Sequence, residues 1–272
     1  MSKQQIMAIL SATALLLTCG CSMTPPQEST ADAEITTTST TTTNSGEKTT
    51  ETTSSHTTVS QNNITTSTAS TLDELKDAVA NHVADTIDSL YVEYDLLTVE
   101  VDTFEKRADN AERVEAFYDN VYVTTSGLCI TLCQYAADFA KIALSSDDDC
   151  DEIYDQFDDL YDWIYDDAGD EIYDEIYDGL LDDMYDYYYD GILEDAYDIV
   201  SYSEWSDVRS DEYKWWSDTR GDVYDEWSDS RSDIYDFWSD IRSALWDDDL
   251  EKARDELNDF QDDIAKQIEK MN

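Results

Sequence analysis

An eleven-residue unit occurs four times in succession in the second half of the chain, with a tryptophan near the start of each copy. The copies, from residue 204 to residue 247, read EWSDVRSDEYK, WWSDTRGDVYD, EWSDSRSDIYD and FWSDIRSALWD. Eleven residues complete almost three turns of an α-helix, so corresponding positions of successive copies are rotated by only about 20°. Corresponding side chains of the four copies therefore lie on the same face of the helix. We expect residues 203–247 to form a continuous helix whose packing seam is nearly straight or slightly right-handed.

The face shared by the four copies combines aromatic and basic side chains. An arginine follows each tryptophan by four places, where its guanidinium can stack on an aromatic ring and pair with an aspartate. Because repeats usually bury their apolar side against neighbours, we interpret this face as a self-complementary seam between helices. The alternative is an exposed ladder that binds a glycan or a cationic partner. Its candidate binding residues are Trp205, Trp216, Trp227, Trp238, Tyr213, Tyr224 and Tyr235.

The balance of charged residues excludes one class of partner. The chain contains 65 acidic and 16 basic residues, which gives a formal net charge of −49. Such a charge repels the phosphate backbone of nucleic acids. We therefore expect no nucleic-acid binding, and any charged partner should be cationic.

The scarcity of helix-breaking residues predicts the fold class. The only two prolines are Pro25 and Pro26, and the 272 residues include just seven glycines. Seven tryptophans and nineteen tyrosines supply the apolar area that a core needs. The sequence therefore predicts an all-α protein, arranged as an elongated helical bundle or coiled coil with eleven-residue repeats.

The N-terminal residues have the pattern of a secretory signal. A single base, Lys3, precedes an apolar stretch of about a dozen residues, which is too short to span a bilayer. The following sequence TCGC resembles the lipobox of bacterial lipoproteins, in which a small residue (here Gly20) precedes a cysteine that receives diacylglycerol. The resemblance implies that residues 1–20 form a signal peptide and that Cys21 is the lipid attachment site. The protein would then be extracytoplasmic, anchored to the outer face of the bacterial cell membrane; secretion without lipid is the alternative.

Residues 21–70 are dominated by threonine and serine and contain few apolar side chains. Such a segment cannot bury enough surface to offset the entropy lost on ordering. We expect a disordered tether with a typical reach of about 35–40 Å. The sequence does not decide whether its hydroxyl groups carry glycans.

Residues 71–145 carry the pattern of a long helix followed by a more apolar one. Thr71 and Glu74 form a capping box, and apolar residues then recur every three or four positions to about Tyr122. This spacing predicts one unbroken helix to that point. A break is expected at residues 124–127, with the apolar helix over residues 128–144.

The cysteines and histidines of the predicted helices do not indicate a metal site. Cys129 and Cys133 are four residues apart and have no further cysteine or histidine at ligand spacing, so we expect both to be small core residues. Side chains at this helical spacing converge poorly for a disulfide. A bridge from Cys150 to one of them stays open. His82 stands alone and is interpreted as a surface residue, and no cofactor is predicted.

Residues 146–202 form an acidic, tyrosine-rich segment. Between residues 151 and 200 there are twenty acids, ten tyrosines and no base, partly arranged in twelve-residue units such as EIYDGLLDDMYD and YYYDGILEDAYD. Twelve residues rotate an α-helical face by about 120°, so no single stripe persists. Either this segment contacts neighbours on several sides, or its glycines let it bend. The sequence leaves open whether it is one helix or several.

The remaining residues, 248–272, predict an amphipathic C-terminal helix with mixed charge. The chain offers no nucleophile with a base partner and no glycine-rich phosphate loop, so we expect no enzyme. The sequence favours a lipid-anchored surface protein with a structural or adhesive role, in which self-association into a homo-oligomer is an open question. The alternative function is a ligand-binding lipoprotein that captures glycans, polyamines or divalent cations.

Overall fold

The structure is a computed structural model that describes residues 68–146 and 148–271, all within the compact unit of residues 54–272. The expected signal peptide, the expected lipid attachment site Cys21 and the expected tether up to residue 67 lie outside the described residues.

The described residues form helices joined by short turns, without any strand, which confirms the all-α class. None of these helices combines the length and the apolar character that a membrane span requires. Their buried side chains form one main core. A smaller cluster gathers around Phe104, Leu193, Ala196 and Trp205.

The first helices form an antiparallel hairpin. Helix α1 spans Leu72–Glu100, α2 spans Phe104–Asp109 and α3 spans Ala111–Ala143. The hydroxyl of Thr71 accepts a hydrogen bond from the Glu74 amide at 3.3 Å, which caps the start of α1.

The single helix predicted to reach Tyr122 is wrong, because α1 ends at Glu100. Thr103 caps α2 by accepting a hydrogen bond from the Lys106 amide, and the chain then reverses before α3 begins. The turn is hidden in the sequence because Val101 and Phe104 are buried within it. Buried turn residues continue the apolar spacing that a helix would show.

The predicted break at residues 124–127 is also wrong, because α3 continues through it. All four residues are buried. The hydroxyl of Thr125 donates to the Val121 carbonyl at 2.8 Å, so this buried polar group is satisfied within the helix itself. Small polar residues therefore occupy the core here without interrupting the helix.

Residues 150–196, called the acidic arm below, form one continuous helix that alternates between α and π geometry. The α segments are α4 (Cys150–Leu160), α5 (Gly169–Ile172), α6 (Leu181–Met184) and α7 (Glu194–Ala196). The π segments are π1 (Tyr161–Ala168), π2 (Tyr173–Leu180) and π3 (Tyr185–Leu193). A π turn joins residues i and i−5 and so holds one residue more than an α turn, as in the bond from the Gly169 amide to the Ile164 carbonyl.

The π segments keep the buried side chains of the acidic arm on one face. Eight buried residues follow one another at intervals of four: Leu160, Ile164, Ala168, Ile172, Ile176, Leu180, Met184 and Tyr188. In a pure α-helix, a step of four residues advances the face by about 40°, so eight such residues would wind around most of the helix. The wider π turns cancel this drift. The drifting face expected from a twelve-residue period is therefore absent.

Two further helices complete the fold. Helix α8 spans Tyr202–Trp246 and covers the four tryptophan-containing copies, and α9 spans Leu250–Met271. Helix α3 packs against α1, α4, α8 and α9, and therefore lies at the centre of the bundle. The acidic arm packs along α8, which places its tyrosines beside the tryptophans.

Candidate functional site

The four repeat tryptophans lie in the packing interface between α8 and the acidic arm, which is called the aromatic seam below. Each indole N–H donates a hydrogen bond to a backbone carbonyl of the arm. The pairs are Trp205 with Leu193 at 2.6 Å, Trp216 with Leu181 at 3.0 Å, Trp227 with Gly169 at 2.8 Å and Trp238 with Phe157 at 2.7 Å. A carbonyl oxygen has two lone pairs, so it can accept an indole N–H in addition to its helical partner.

These hydrogen bonds match two different sequence periods. The donors are eleven residues apart on α8, whereas the acceptors are twelve residues apart on the acidic arm. One π segment lies between each pair of successive acceptors and accommodates the additional residue. Eleven α-helical residues on one side therefore stay in register with twelve mixed residues on the other.

Each repeat arginine lies between two aromatic rings, one from each side of the seam. The guanidinium of Arg231 is 4.8 Å from the Trp227 ring and 4.0 Å from the Tyr165 ring. Corresponding sandwiches hold Arg209 with Trp205 and Tyr189, Arg220 with Trp216 and Tyr177, and Arg242 with Trp238 and Tyr154. The stacking expected from the four-residue spacing is confirmed, and the second ring comes from the acidic arm.

Three of the four arginines also pair with aspartates of the arm. The ion pairs are Arg220 with Asp178 and Asp182, Arg231 with Asp166 and Asp170, and Arg242 with Asp158. Among the described residues, Arg209 has no carboxylate at ion-pair distance. Stacked and paired guanidinium groups neutralise part of the charge where the two acidic helices meet.

Pairs of stacked tyrosines from the arm complete the seam. The rings of Tyr173 and Tyr177 are 4.7 Å apart, and Tyr173 also lies 4.6 Å from Trp227. Tyr185 and Tyr189 stack in the same way beside Trp216, as do Tyr161 and Tyr165 beside Trp238. Burial, followed by neighbouring carboxylates and phenols, raises the pKa of Tyr161, Tyr173 and Tyr185. These phenols therefore stay protonated at neutral pH.

The candidate binding residues fall into two groups by exposure. Trp205 is buried, and Trp216, Trp227 and Trp238 are partly buried against the core. In contrast, the side chains of Tyr213, Tyr224 and Tyr235 are 49, 44 and 44% exposed. The structure thus places the tryptophans inside the seam and the tyrosines along its outer edge.

A buried ion pair joins the aromatic seam to the helical hairpin. Arg107 and Glu212 are both fully buried, and the Arg107 Nε donates to a Glu212 carboxylate oxygen at 2.7 Å. The hydroxyl of Tyr118 donates to the other oxygen at 2.5 Å. Burial raises the pKa of Glu212, and the guanidinium and the phenol oppose that effect. Pairing with hydrogen bonds at both oxygens is what a buried carboxylate requires.

The three described cysteines are free and buried. Cys129 and Cys133 lie in the core, as predicted, and no bridge joins Cys150 to either of them. Burial raises the pKa of the Cys129 thiol to about 12, which leaves it without thiolate character at neutral pH. These thiols therefore act as packing groups.

Comparison of the chain with protein-family models, curated proteins and solved structures finds no match. Among residues 68–146 and 148–271, no three acidic, histidine or cysteine side chains converge as metal ligands. What this site offers chemically is hydrogen bonding, stacking and ion pairing between helices.

Two features of this site were not predicted, although each is marked by a pattern in the sequence. Glu212 stands where the other copies have Val223, Ile234 and Leu245, so a lone acid on the apolar stripe indicated a buried partner. The second signal is the parallel occurrence of eleven- and twelve-residue periods in neighbouring segments. The one-residue difference per copy is explained by π turns only once the two segments are known to pack side by side.

Proposed function

We propose that this protein is a lipid-anchored, non-catalytic lipoprotein with a structural or adhesive role at the outer face of a bacterial cell membrane. The described helices would act as an elongated bundle, stiffened along a coiled-coil-like seam by the eleven-residue repeats. The tether would hold this bundle away from the membrane.

The observation that carries this proposal is the use of the indole groups within the chain. All four repeat tryptophans donate to backbone carbonyls of the acidic arm, and each repeat arginine is stacked between rings. Groups committed to internal contacts stabilise one arrangement of helices and are not free to bind a ligand. The pattern supports a mechanical or scaffolding role.

Lipid attachment is tested by metabolic labelling of cells that express the full chain with an alkyne-bearing fatty acid. We expect label on the wild-type protein and surface accessibility to added protease. The Cys21→Ala variant should lose the label and be released from the cells. A wild-type protein that carries no acyl chain would contradict the proposal.

The structural or adhesive role is tested by comparing cells that display the wild-type protein with cells that lack it. We expect cell aggregation or surface adhesion to depend on the displayed protein, and sedimentation of the purified chain to report self-association. Equal aggregation and adhesion of both cell types would remove this role.

The exposed tyrosines favour a second candidate function, capture of a cationic partner. Tyr213, Tyr224 and Tyr235 recur every eleven residues, or about 16 Å along the helix, on a strongly acidic surface. Phenol rings beside carboxylates attract ammonium and guanidinium groups. Replacing the three tyrosines by leucine keeps the charge constant, so weaker binding of poly-lysine to that variant would support this candidate. Unchanged binding would count against it.

A further inference from the structure

A cleft of about 420 Å³ lies between α1 and α3, and its lining residues do not belong to the aromatic seam. Two carboxylates, Asp85 and Glu93, stand along its α1 side, and Asn120 and Thr124 stand on its α3 side. Leu90 and Leu128 lie beneath it, and both side chains are already almost fully buried. The side chains that remain accessible in the cleft are therefore mainly polar and acidic.

The donors of the cleft are largely engaged within the protein. The hydroxyl of Thr86 donates to the His82 carbonyl at 2.7 Å, and the hydroxyl of Ser89 donates to the Asp85 carbonyl at 2.8 Å. The Asn120 amide donates to a Glu93 carboxylate oxygen at 2.8 Å. The oxygen atoms of these groups keep free lone pairs. The walls consequently offer hydrogen-bond acceptors to a ligand.

His82, interpreted from the sequence as a surface residue, is half-buried at one end of this cleft. Its Nε2 is enclosed and has no hydrogen-bond partner among the described residues. Burial lowers the pKa of His82, although Asp85 opposes the effect, so the imidazole is neutral at pH 7. A neutral ring adds no positive charge that would repel a cation.

The spacing of the two carboxylates indicates the form of the ligand. Asp85 and Glu93 are eight residues apart on α1, which separates their backbone positions by about 12 Å along the helix axis. A ligand that satisfies both needs a positive, hydrogen-donating group near each end, and an amine between these ends can donate to the hydroxyl oxygens of the walls. We propose that this cleft is a binding site for a linear aliphatic polyamine. This site is separate from the aromatic seam and does not depend on the function proposed above.

The experiment is calorimetric titration of the purified full-length chain with spermidine in about 0.5 M sodium chloride, where the Debye length is only about 4 Å. At this salt concentration, diffuse attraction to the net charge is screened. We expect one saturable site per chain. Removal of both carboxylates in the variant Asp85→Asn/Glu93→Gln should weaken binding by at least about tenfold, because each charge-assisted hydrogen bond contributes strongly.

Matched variants separate the cleft from its surroundings. Asp77→Asn/Asp95→Asn removes the same charge from exposed positions of α1 outside the cleft and should bind spermidine as the wild type does. Ser89→Lys places an ammonium group in the cleft and should block binding. Val99→Lys adds the same charge at a 74% exposed position of α1 and should not.

Three results would overturn the site. The first is the lack of saturable binding in about 0.5 M salt. The second is an equal loss in both double variants, which would show that only total charge matters. The third is full competition by Mg²⁺ at concentrations similar to those of spermidine, which would show that the carboxylates bind any cation. Circular dichroism of each variant checks that its helices are intact.

Discussion

The indole N–H of Trp227 donates a 2.8 Å hydrogen bond to the backbone carbonyl of Gly169, 58 residues earlier in the chain. The bond joins the middle of α8 to the point where π1 ends and α5 begins. It is one of four equivalent bonds, and it shows how eleven residues on one helix are held against twelve on the other.

Trp227→Phe should lower the free energy of unfolding by about 1–2 kcal/mol, because it removes this hydrogen bond and weakens the stacking on Arg231. Urea denaturation followed by circular dichroism measures the change. The matched control is Trp246→Phe at a 78% exposed position, which should change stability by less than about 0.5 kcal/mol. Equal effects at the two positions would contradict the seam.

Glu212→Leu should destabilise the protein by about 3–5 kcal/mol, because it leaves the Arg107 guanidinium buried without its carboxylate. The double variant Arg107→Met/Glu212→Leu should recover part of this loss, because it removes the unpaired charge, although the buried Tyr118 hydroxyl still lacks its acceptor. Thermal or urea unfolding of the two variants gives the comparison. If the double variant is no more stable than Glu212→Leu, the unpaired Arg107 charge is not the cause of the destabilisation.

Two glycines in helical segments should respond in opposite directions to alanine. Gly221 is exposed on α8 with no atom near an added Cβ, so Gly221→Ala should stabilise the protein by about 0.5–1 kcal/mol. At Gly179 an added Cβ would lie 2.7 Å from the Tyr91 hydroxyl, which donates to the Glu175 carbonyl. Gly179→Ala should therefore lose that bond and destabilise by about 1 kcal/mol. Stabilisation by both substitutions in urea unfolding would contradict the packing of π2 on α1.

The sequence revealed the fold class and the face of α8, but it could not reveal the turn after Glu100 or the geometry of the acidic arm. The turn is concealed because Val101 and Phe104 are buried like helical residues. The arm is concealed because buried residues four apart drift around an α-helix and align only when π turns are present. The exposure of Tyr213 could not be predicted either, because the helical period places it on the same face as the tryptophans and does not tell which edge of that face the acidic arm covers.

Acidification should stabilise the native state, which is opposite to ordinary acid denaturation. Burial, with neighbouring carboxylates, raises the pKa of Asp233 above its usual value of 3.8, although a hydrogen bond from Gln267 opposes the shift. Burial also raises the pKa of Asp222 and of Glu175. A raised native pKa means that the native state binds more protons than the unfolded state, so the free energy of unfolding rises as pH falls from about 7 towards 4.

Thermal melts between these pH values measure the effect, and Asp233→Asn should make the pH dependence shallower. Asp95→Asn, an exposed carboxylate of α1, serves as the control and should leave the slope unchanged. A free energy of unfolding that falls steadily on acidification from neutral pH would contradict the raised pKa values of these carboxyl groups.

The most direct test of the central claim is hydrogen exchange at the indole groups, followed by NMR with ¹⁵N-labelled tryptophan. If α8 is joined to the acidic arm through its indoles, the N–H signals of Trp205, Trp216, Trp227 and Trp238 should exchange slowly. The indole of Trp246, which is 78% exposed, should exchange rapidly. Rapid exchange at all four repeat tryptophans in the folded protein would contradict the aromatic seam and the function proposed from it.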